Sequence, residues 1–350
     1  MTRSHPIPMQ DEFALGILGR FARMNAIPSL DLAAKTIKRQ TNERDSQLLW
    51  LIAELCGKSK CDFSSKHSVL PVLNPISKST GNSLESWSDL FLKKNRAMNC
   101  LQGHIRWCQE CCENDINKHH FSYWRRSHQI VGIDWCPHHR TPLAKTNQKF
   151  AINNPGHPST IDTVPTRLAT IKQEIENATL MRLQEIMFGW LQRSYPIGLQ
   201  AWANVIRVKC SAAGLRIGEI GKRPVVSDLI REHFPSSWLS RHMPEVANKS
   251  PNTFVRKIDG ACIDKHVAYP ALAYASILSV LFDSSEQALH ALDAANLQLD
   301  IQPSNENVNE ALSAFLEGAS LHDACRKSGV NVSSVENAVR HHLQQFLVRP

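Results

Sequence analysis

Residues 104–143 read HIRWCQECCENDINKHHFSYWRRSHQIVGIDWCPHHRTPL. Within them, Cys108-Gln-Glu-Cys111 and Cys136-Pro-His-His139 each set two metal-ligating side chains across a two-residue spacer. A turn of that length aims both side chains at one point, and two such turns complete the four N/S donors that structural zinc takes in tetrahedral geometry. The pattern predicts one Cys3His site, with Cys108, Cys111, Cys136 and His139 holding a single structural Zn2+. Apparent binding energies on the order of 10–16 kcal/mol let such an ion hold together a module that has little core of its own. The competing reading, ordinary buried thiols and surface histidines, does not account for two matching knuckles. Cys112 and His138 stand one position from the preferred ligands as substitutes. Cys100, His104, His119, His120 and His128 are nearby decoys, and residues of their kind are more often solvated or hydrogen-bonded than ligating. Cys56 and Cys61 lack a partner knuckle, and Cys210, Cys262 and Cys325 lie in helical patterns as small core hydrophobes.

Outward from the Cys/His region the periodicity is helical. Asp11 to Met24 carries Phe13, Ile17, Leu18 and Phe21 on one stripe. Ile27-Pro28-Ser29 breaks the pattern, Ser29 N-caps a second helix through Ile37, and Ser46 to Cys56 forms a third. This N-terminal arrangement resembles a helix-turn-helix, although αα-hairpins of the same kind serve as plain scaffolding. Residues 57–83, rich in Ser, Lys, Pro and Asn, read as a loop, and a short helix follows around Ser86 to Lys94. After 147–165 the helical pattern returns over Thr166–Arg193, Leu199–Ala213, Val225–Phe234, Tyr269–Phe282, Ser285–Ala295 and Asn305 onward. The expected fold is mainly α. It divides into an N-terminal helical domain (1–95, helix-turn-helix-like), an inserted zinc-finger module (96–146), a linker (147–165), a helical domain (166–300) and a C-terminal helix-turn-helix (301–350).

That C-terminal reading rests on residues 320–343. Leu321, Ala324 and Cys325 form the inner face of a first helix, Gly329-Val330 the turn, and Ser333 with Glu336 a capping box. Val335, Val339 and Leu343 then recur as a buried stripe, which leaves Ser334, Asn337, Arg340 and His341 outward. Those side-chain types reach base edges and phosphates. Arg326 and Lys327, just before the turn, are placed to hold the DNA backbone. Arg106, Arg125, Arg126 and Arg140 in the zinc segment read either as further phosphate contacts or as solvated charges. A polar, solvated hairpin is the competing interpretation of the whole C-terminal segment.

Composition sets the outer bounds. The chain has 350 residues, enough for two or three domains at roughly 100–200 residues each. A hydrophobic fraction of 42% and a charged fraction of 21% fit a globular protein, and a formal charge of +8 favours polyanions without requiring them. Ten cysteines at irregular spacing do not suggest a secreted disulfide scaffold. The opening MTRSHPIPMQ has no apolar signal region, and the longest apolar run, Val267 to Phe282, falls short of the ~20 residues that span a bilayer. A cytoplasmic, reduced protein with no membrane segment is expected. Gly57-Lys58-Ser59 resembles the tail of a phosphate-binding loop but follows a helix and has Ile52 where glycine is needed. With no H-E-x-x-H, no G-x-S-x-G and no clustered carboxylates, the expectation is a protein that is not an enzyme.

The run Tyr123-Trp124-Arg125-x-x-His128-Gln129-x-x-Gly132-x-x-x-Cys136-x-x-His139-x-x-x-Leu143 resembles the zinc segment of the TniQ/TnsD transposition family. Pro8, Asp11-Glu12, Arg20 and Asn25 resemble the family's opening helix. Ala201-Trp202 through Arg207, Gly214-Leu215 and Lys265-His266 are similar to the post-zinc part of TnsD-type members. The resemblance implies a target-site selector for a Tn7-like transposon, in the field of DNA recombination. Such a protein binds a double-stranded DNA attachment site and recruits an AAA+ regulator of the TnsC/TniB type. The alternative it implies is an adaptor that docks on a CRISPR effector complex and has little DNA specificity of its own. A second Cys-rich finger found in some members has no counterpart in the cysteine-free residues 144–165.

Overall fold

In the computed structural model of the chain, residues 4–40, 47–77, 96–98, 103–161, 168–263, 267–301 and 306–328 are described. These residues are mainly helical, and the chain divides into two compact units, Met1–Asp293 and Ala294–Pro350. The boundaries expected near 95, 146 and 165 fall inside the first unit.

The first unit begins with helices Ala14–Met24, Leu30–Gln40, Leu48–Leu55 and Lys60–His67. Ser29 caps the second of these, accepting from the Leu32 N–H at 3.2 Å. The segment expected as a loop after residue 57 is instead helical at Lys60–His67 and Leu70–Leu73, then extended at Ile76–Ser77. The reason is a cap and an anchor that polar composition obscures. Ser59 Oγ accepts from Asp62 N at 3.2 Å, and Phe63, Val69 and Leu70 are buried. The short helix expected at Ser86 to Lys94 lies outside the described residues.

Phe13, Ile17, Phe21, Leu51, Ile52 and Phe63 form an apolar cluster that also takes in Ile105, Trp107, Cys112, Trp124 and Ala151. The zinc segment is therefore fused to the N-terminal helices through a common core. Gly19 lets this happen: a Cβ there would lie 2.0 Å from the Ala151 carbonyl oxygen, so only glycine allows the first helix to touch Gln148–Ile152. Within the stretch expected as a linker, Gln148–Ile152 and Pro158–Thr160 are 3-10 turns, and Ala151 and Thr160 are buried.

On the other side stand Leu168–Ile175, Ala178–Leu191, Leu199–Ala212, Val226–His233, Ser236–His242 and Ala271–Leu281. The single helix expected over Thr166–Arg193 is broken at Asn177, whose side chain accepts from Leu180 N at 2.9 Å and starts a new helix. Ile76–Ser77 pairs in parallel with Ile197–Gly198, which ties the N-terminal helices directly to this layer. Trp135 Nε1 donates to Gln184 Oε1 at 2.5 Å and Trp238 Nε1 to the Gly132 carbonyl at 2.8 Å. The zinc segment is thus gripped from both sides.

In the second unit, Glu306–Leu316 and Leu321–Ser328 pack through Ala311, Ala324 and Cys325, with Leu321 partly buried against them. This inner face is the one expected for the first helix of the C-terminal motif. Ser320 caps it, accepting from Asp323 N at 3.1 Å. The proposed turn and second helix, with Ser334, Asn337, Arg340 and His341, lie outside the described residues.

Candidate metal centre

The site is built on a two-stranded frame. His104–Trp107 pairs antiparallel with Ala144–Asn147, and Gln109–His119 starts directly after the first strand. Cys108 is the residue before that helix and Cys111 lies in its first turn, so helical geometry brings the two sulfurs to one side. The second knuckle is closed by its backbone. Cys136 N donates to Thr141 O at 2.7 Å and Arg140 N to Cys136 O at 2.9 Å, with Arg140 in the left-handed region at φ 54°.

The ligating atoms of Cys108, Cys111, Cys136 and His139 all lie within 4.8 Å of one another. His139 Nδ1 is 3.4 Å from the Cys108 and Cys111 sulfurs and 3.6 Å from that of Cys136, and Cys111 and Cys136 sulfurs are 3.6 Å apart. Zinc bonds of about 2.3 Å to sulfur and 2.0 Å to nitrogen imply tetrahedron edges of roughly 3.8 Å for S···S and 3.5 Å for S···N. The donors therefore already stand at the corners of a tetrahedron. Of the alternatives, Cys112 belongs to the apolar cluster and not to the group of four donors. His138 faces a separate cleft with Asp11, Arg125 and Glu185.

Crowding separates the three thiols. Hydrogen bonds from Cys111 and Cys136 hold Cys108 well below its ordinary range. Hydrogen bonding to Cys108 in turn pushes Cys111 up, and Cys136 up to about 11. Three sulfurs this close cannot ionise together unless a cation sits between them, which is the chemistry of a metal site.

Three residues that spacing did not single out complete the surroundings. Thr141 Oγ1 is 3.4 Å from Cys108 Sγ, and His128 Nε2 is 3.5 Å from Cys136 Sγ and 3.8 Å from Cys111 Sγ. Burial pushes His128 down to about 3, so a neutral ring faces the two sulfurs and adds no charge. The Asn114 carboxamide lies 3.3 Å from His139 Nε2 and orients that ring for Nδ1 to ligate. The only advance signal for these roles was the His128-Gln129 dipeptide within the resemblance motif.

Three of the four arginines of the zinc segment, Arg106, Arg125 and Arg126, turn inward. Arg106 is 1% exposed and donates to the Ile130 and Ile133 carbonyls at 2.6 and 2.7 Å and to Asp134 at 3.3 Å. It is neither a phosphate contact nor a solvated charge. Asp134 also meets Arg241 and His242. Burial raises its carboxyl, but the His242 hydrogen bond and the Arg106 charge outweigh that and hold it well below the usual range. Arg125 pairs with Asp115 at 2.5 Å and stacks on Tyr123. Arg126 pairs with Asp11 at 2.9 Å and donates to the Ser65 carbonyl and, at 3.3 Å, to that of Ser68. The backbone joins the same partners: Phe13 N donates to Trp124 O at 2.7 Å and Arg126 N to Asp11 O at 3.0 Å. Arg140 is exposed, as are Arg326 and Lys327, and Arg326 pairs with Asp323 at 2.8 Å.

Among the described residues no helix is long and apolar enough to cross a membrane. No curated protein matches the chain. The residues that interlock here, from the opening segment through the second knuckle, lie within the span that matches a family model, TniQ, over residues 3–143. Residues 3–143 therefore carry a TniQ domain.

Proposed function

We propose that the chain is a target-site selector for a Tn7-like transposon, with no catalytic activity of its own. It binds a double-stranded DNA attachment site and recruits an AAA+ regulator. The observation that carries this reading is the TniQ domain closed around a Cys3His group. Three thiolates and one imidazole are a soft, tetrahedral donor set, which suits Zn2+. All four corners come from the protein, which makes the ion structural: it fixes the two knuckles between the helical layers. Sequence recognition is assigned to the C-terminal segment, with Asn337, Arg340, Ser334 and His341 reading bases and Arg326 and Lys327 holding phosphates.

A second reading, an adaptor that docks on an RNA-guided effector, is favoured by one observation. Arg125 and Arg126 are spent on internal pairs, which lowers the DNA-binding capacity of the zinc segment. Selection of the purified protein on a random duplex library, followed by sequencing, separates the two. The selector enriches one site, and Asn337→Ala with Arg340→Ala weakens binding to it by about 1–3 kcal/mol per base contact. A library recovered without any enriched site contradicts the selector and leaves the adaptor.

A further inference from the structure

Residues 215–225 connect the helix Leu199–Ala212 to the helix Val226–His233 and form a braced, projecting loop. Its two ends, Leu215 and Val225, are buried. Arg216 N donates to Pro224 O at 2.8 Å and closes the neck. The Arg216 guanidinium runs up the inside, donating to the Gly221 carbonyl and, at 3.0 Å, to that of Asn252. Gly218 and Gly221 have φ of 131° and 138°, a region that side-chain-bearing residues rarely enter. A Cβ on Gly221 would come within 2.8 Å of Arg216 Cδ, so the arginine stem packs directly beneath it.

This construction holds Ile220 at the tip, 95% exposed, the most exposed of the large hydrophobics among the described residues. Lys222 and Arg223 follow two and three positions on and are also exposed. The one acid of the loop, Glu219, pairs with Arg256 at 3.4 Å. The tip is therefore an apolar, β-branched wedge beside cations, on a loop whose backbone is tied down.

We infer that the loop 215–225 is a DNA wedge: Ile220 enters between base pairs from the minor groove while Lys222 and Arg223 neutralise the flanking phosphates. A duplex offers an apolar stacked interior between two anionic strands, and inserted apolar side chains kink it. A membrane surface fits less well, since a single isoleucine buries little area and no amphipathic helix accompanies it at this loop. The inference rests on the proposal that the protein binds DNA, and assigns a bending role in addition to sequence reading.

The test uses the full chain and a random-sequence duplex of about 30 base pairs with a dye at each end. Wild-type protein brings the dyes closer at saturation. Ile220→Ala, at an exposed position, abolishes the energy-transfer change and weakens binding less than about five-fold, whereas Ile220→Phe retains the bend. Replacing Lys222 and Arg223 together by Ala lowers the slope of log affinity against log salt by about two. A bend that persists in Ile220→Ala overturns the wedge while leaving DNA binding intact. Failure of the wild-type chain to bind any duplex overturns both the wedge and the selector. Ile220-dependent binding to phosphatidylserine vesicles, with duplex bending indifferent to Ile220, assigns the tip to a membrane and overturns the wedge.

Discussion

Two neighbouring regions of the TniQ domain are held by different physics. The N-terminal cluster is a conventional apolar core: Phe13, Ile17, Phe21, Ile52, Phe63 and Trp124 are each at most 1% exposed and drawn from separate helices and the zinc segment. Among the described residues, the buried cluster at the knuckles is Cys108, Cys111, Cys136 and Leu143, so three of its four members are candidate metal donors. Burial on that small scale stabilises little at roughly 25 cal/mol per Å2. Where a metal supplies cohesion, the sequence needs four donors and a tight turn. Where burial supplies it, many side chains must match in volume and direction.

The largest expected effect divides the regions at once. Cys108→Ser removes one donor, drops bound zinc from one per chain to background, and forfeits stabilisation on the order of 10 kcal/mol in apparent terms at the knuckles. Cys112→Ser, one residue beyond Cys111 but inside the apolar cluster, keeps the metal. Elemental analysis of the two purified variants checks both, and equal metal loss would break the ligand assignment.

Next in size is Trp124→Ala. Trp124 meets Trp107 edge to face at 5.7 Å and donates from Nε1 to the Asn153 carbonyl at 2.8 Å. Its removal should cost about 3–5 kcal/mol in urea unfolding while one zinc per chain is retained. Loss of zinc in the folded variant would mean that the two regions are not separately supported.

The smallest effect is a pH dependence. Glu12 is buried with Arg20, whose Nε lies 2.8 Å from its carboxylate, and burial pushes its pKa from 4.5 up to about 7. A raised carboxyl binds its proton more tightly when folded, so its contribution is full below pH 4.5, declines as pH rises, and is gone above about 7. The span is worth on the order of 3 kcal/mol at most. With the proposed metal bound, the knuckles respond in the opposite sense, because acid protonates thiolates and releases the ion. Comparing wild type with Glu12→Gln at saturating zinc isolates the first term. The difference between their unfolding free energies should shift in favour of wild type from pH 7.5 down to 5.5, and a constant difference would remove Glu12 from the account.

The knuckles were legible because ligand chemistry is local: a two-residue spacer dictates where two side chains point, and the observed Cys108, Cys111, Cys136 and His139 group follows from it. Helix content was legible for the same reason, as with Leu199–Ala212, whose apolar side chains recur at helical spacing, and Ala271–Leu281, a nearly continuous apolar run that starts after Pro270. Lys60–His67 was obscured by its polar surface, since the Ser59 cap and the lone Phe63 anchor act at a scale that composition averages away.

The amino-acid order alone determined the helical class and the four donors, each encoded within a turn or two of chain, and the kinship of residues 3–143, carried by motifs along that span. Only the tertiary structure decided which arginines face inward. Arg106, Arg125 and Arg126 find their partners at Asp134, Asp115 and Asp11, between 10 and 115 positions away. A charged side chain is drawn to whatever carboxylate or carbonyl the fold brings near it, and that neighbour does not exist until distant segments have packed.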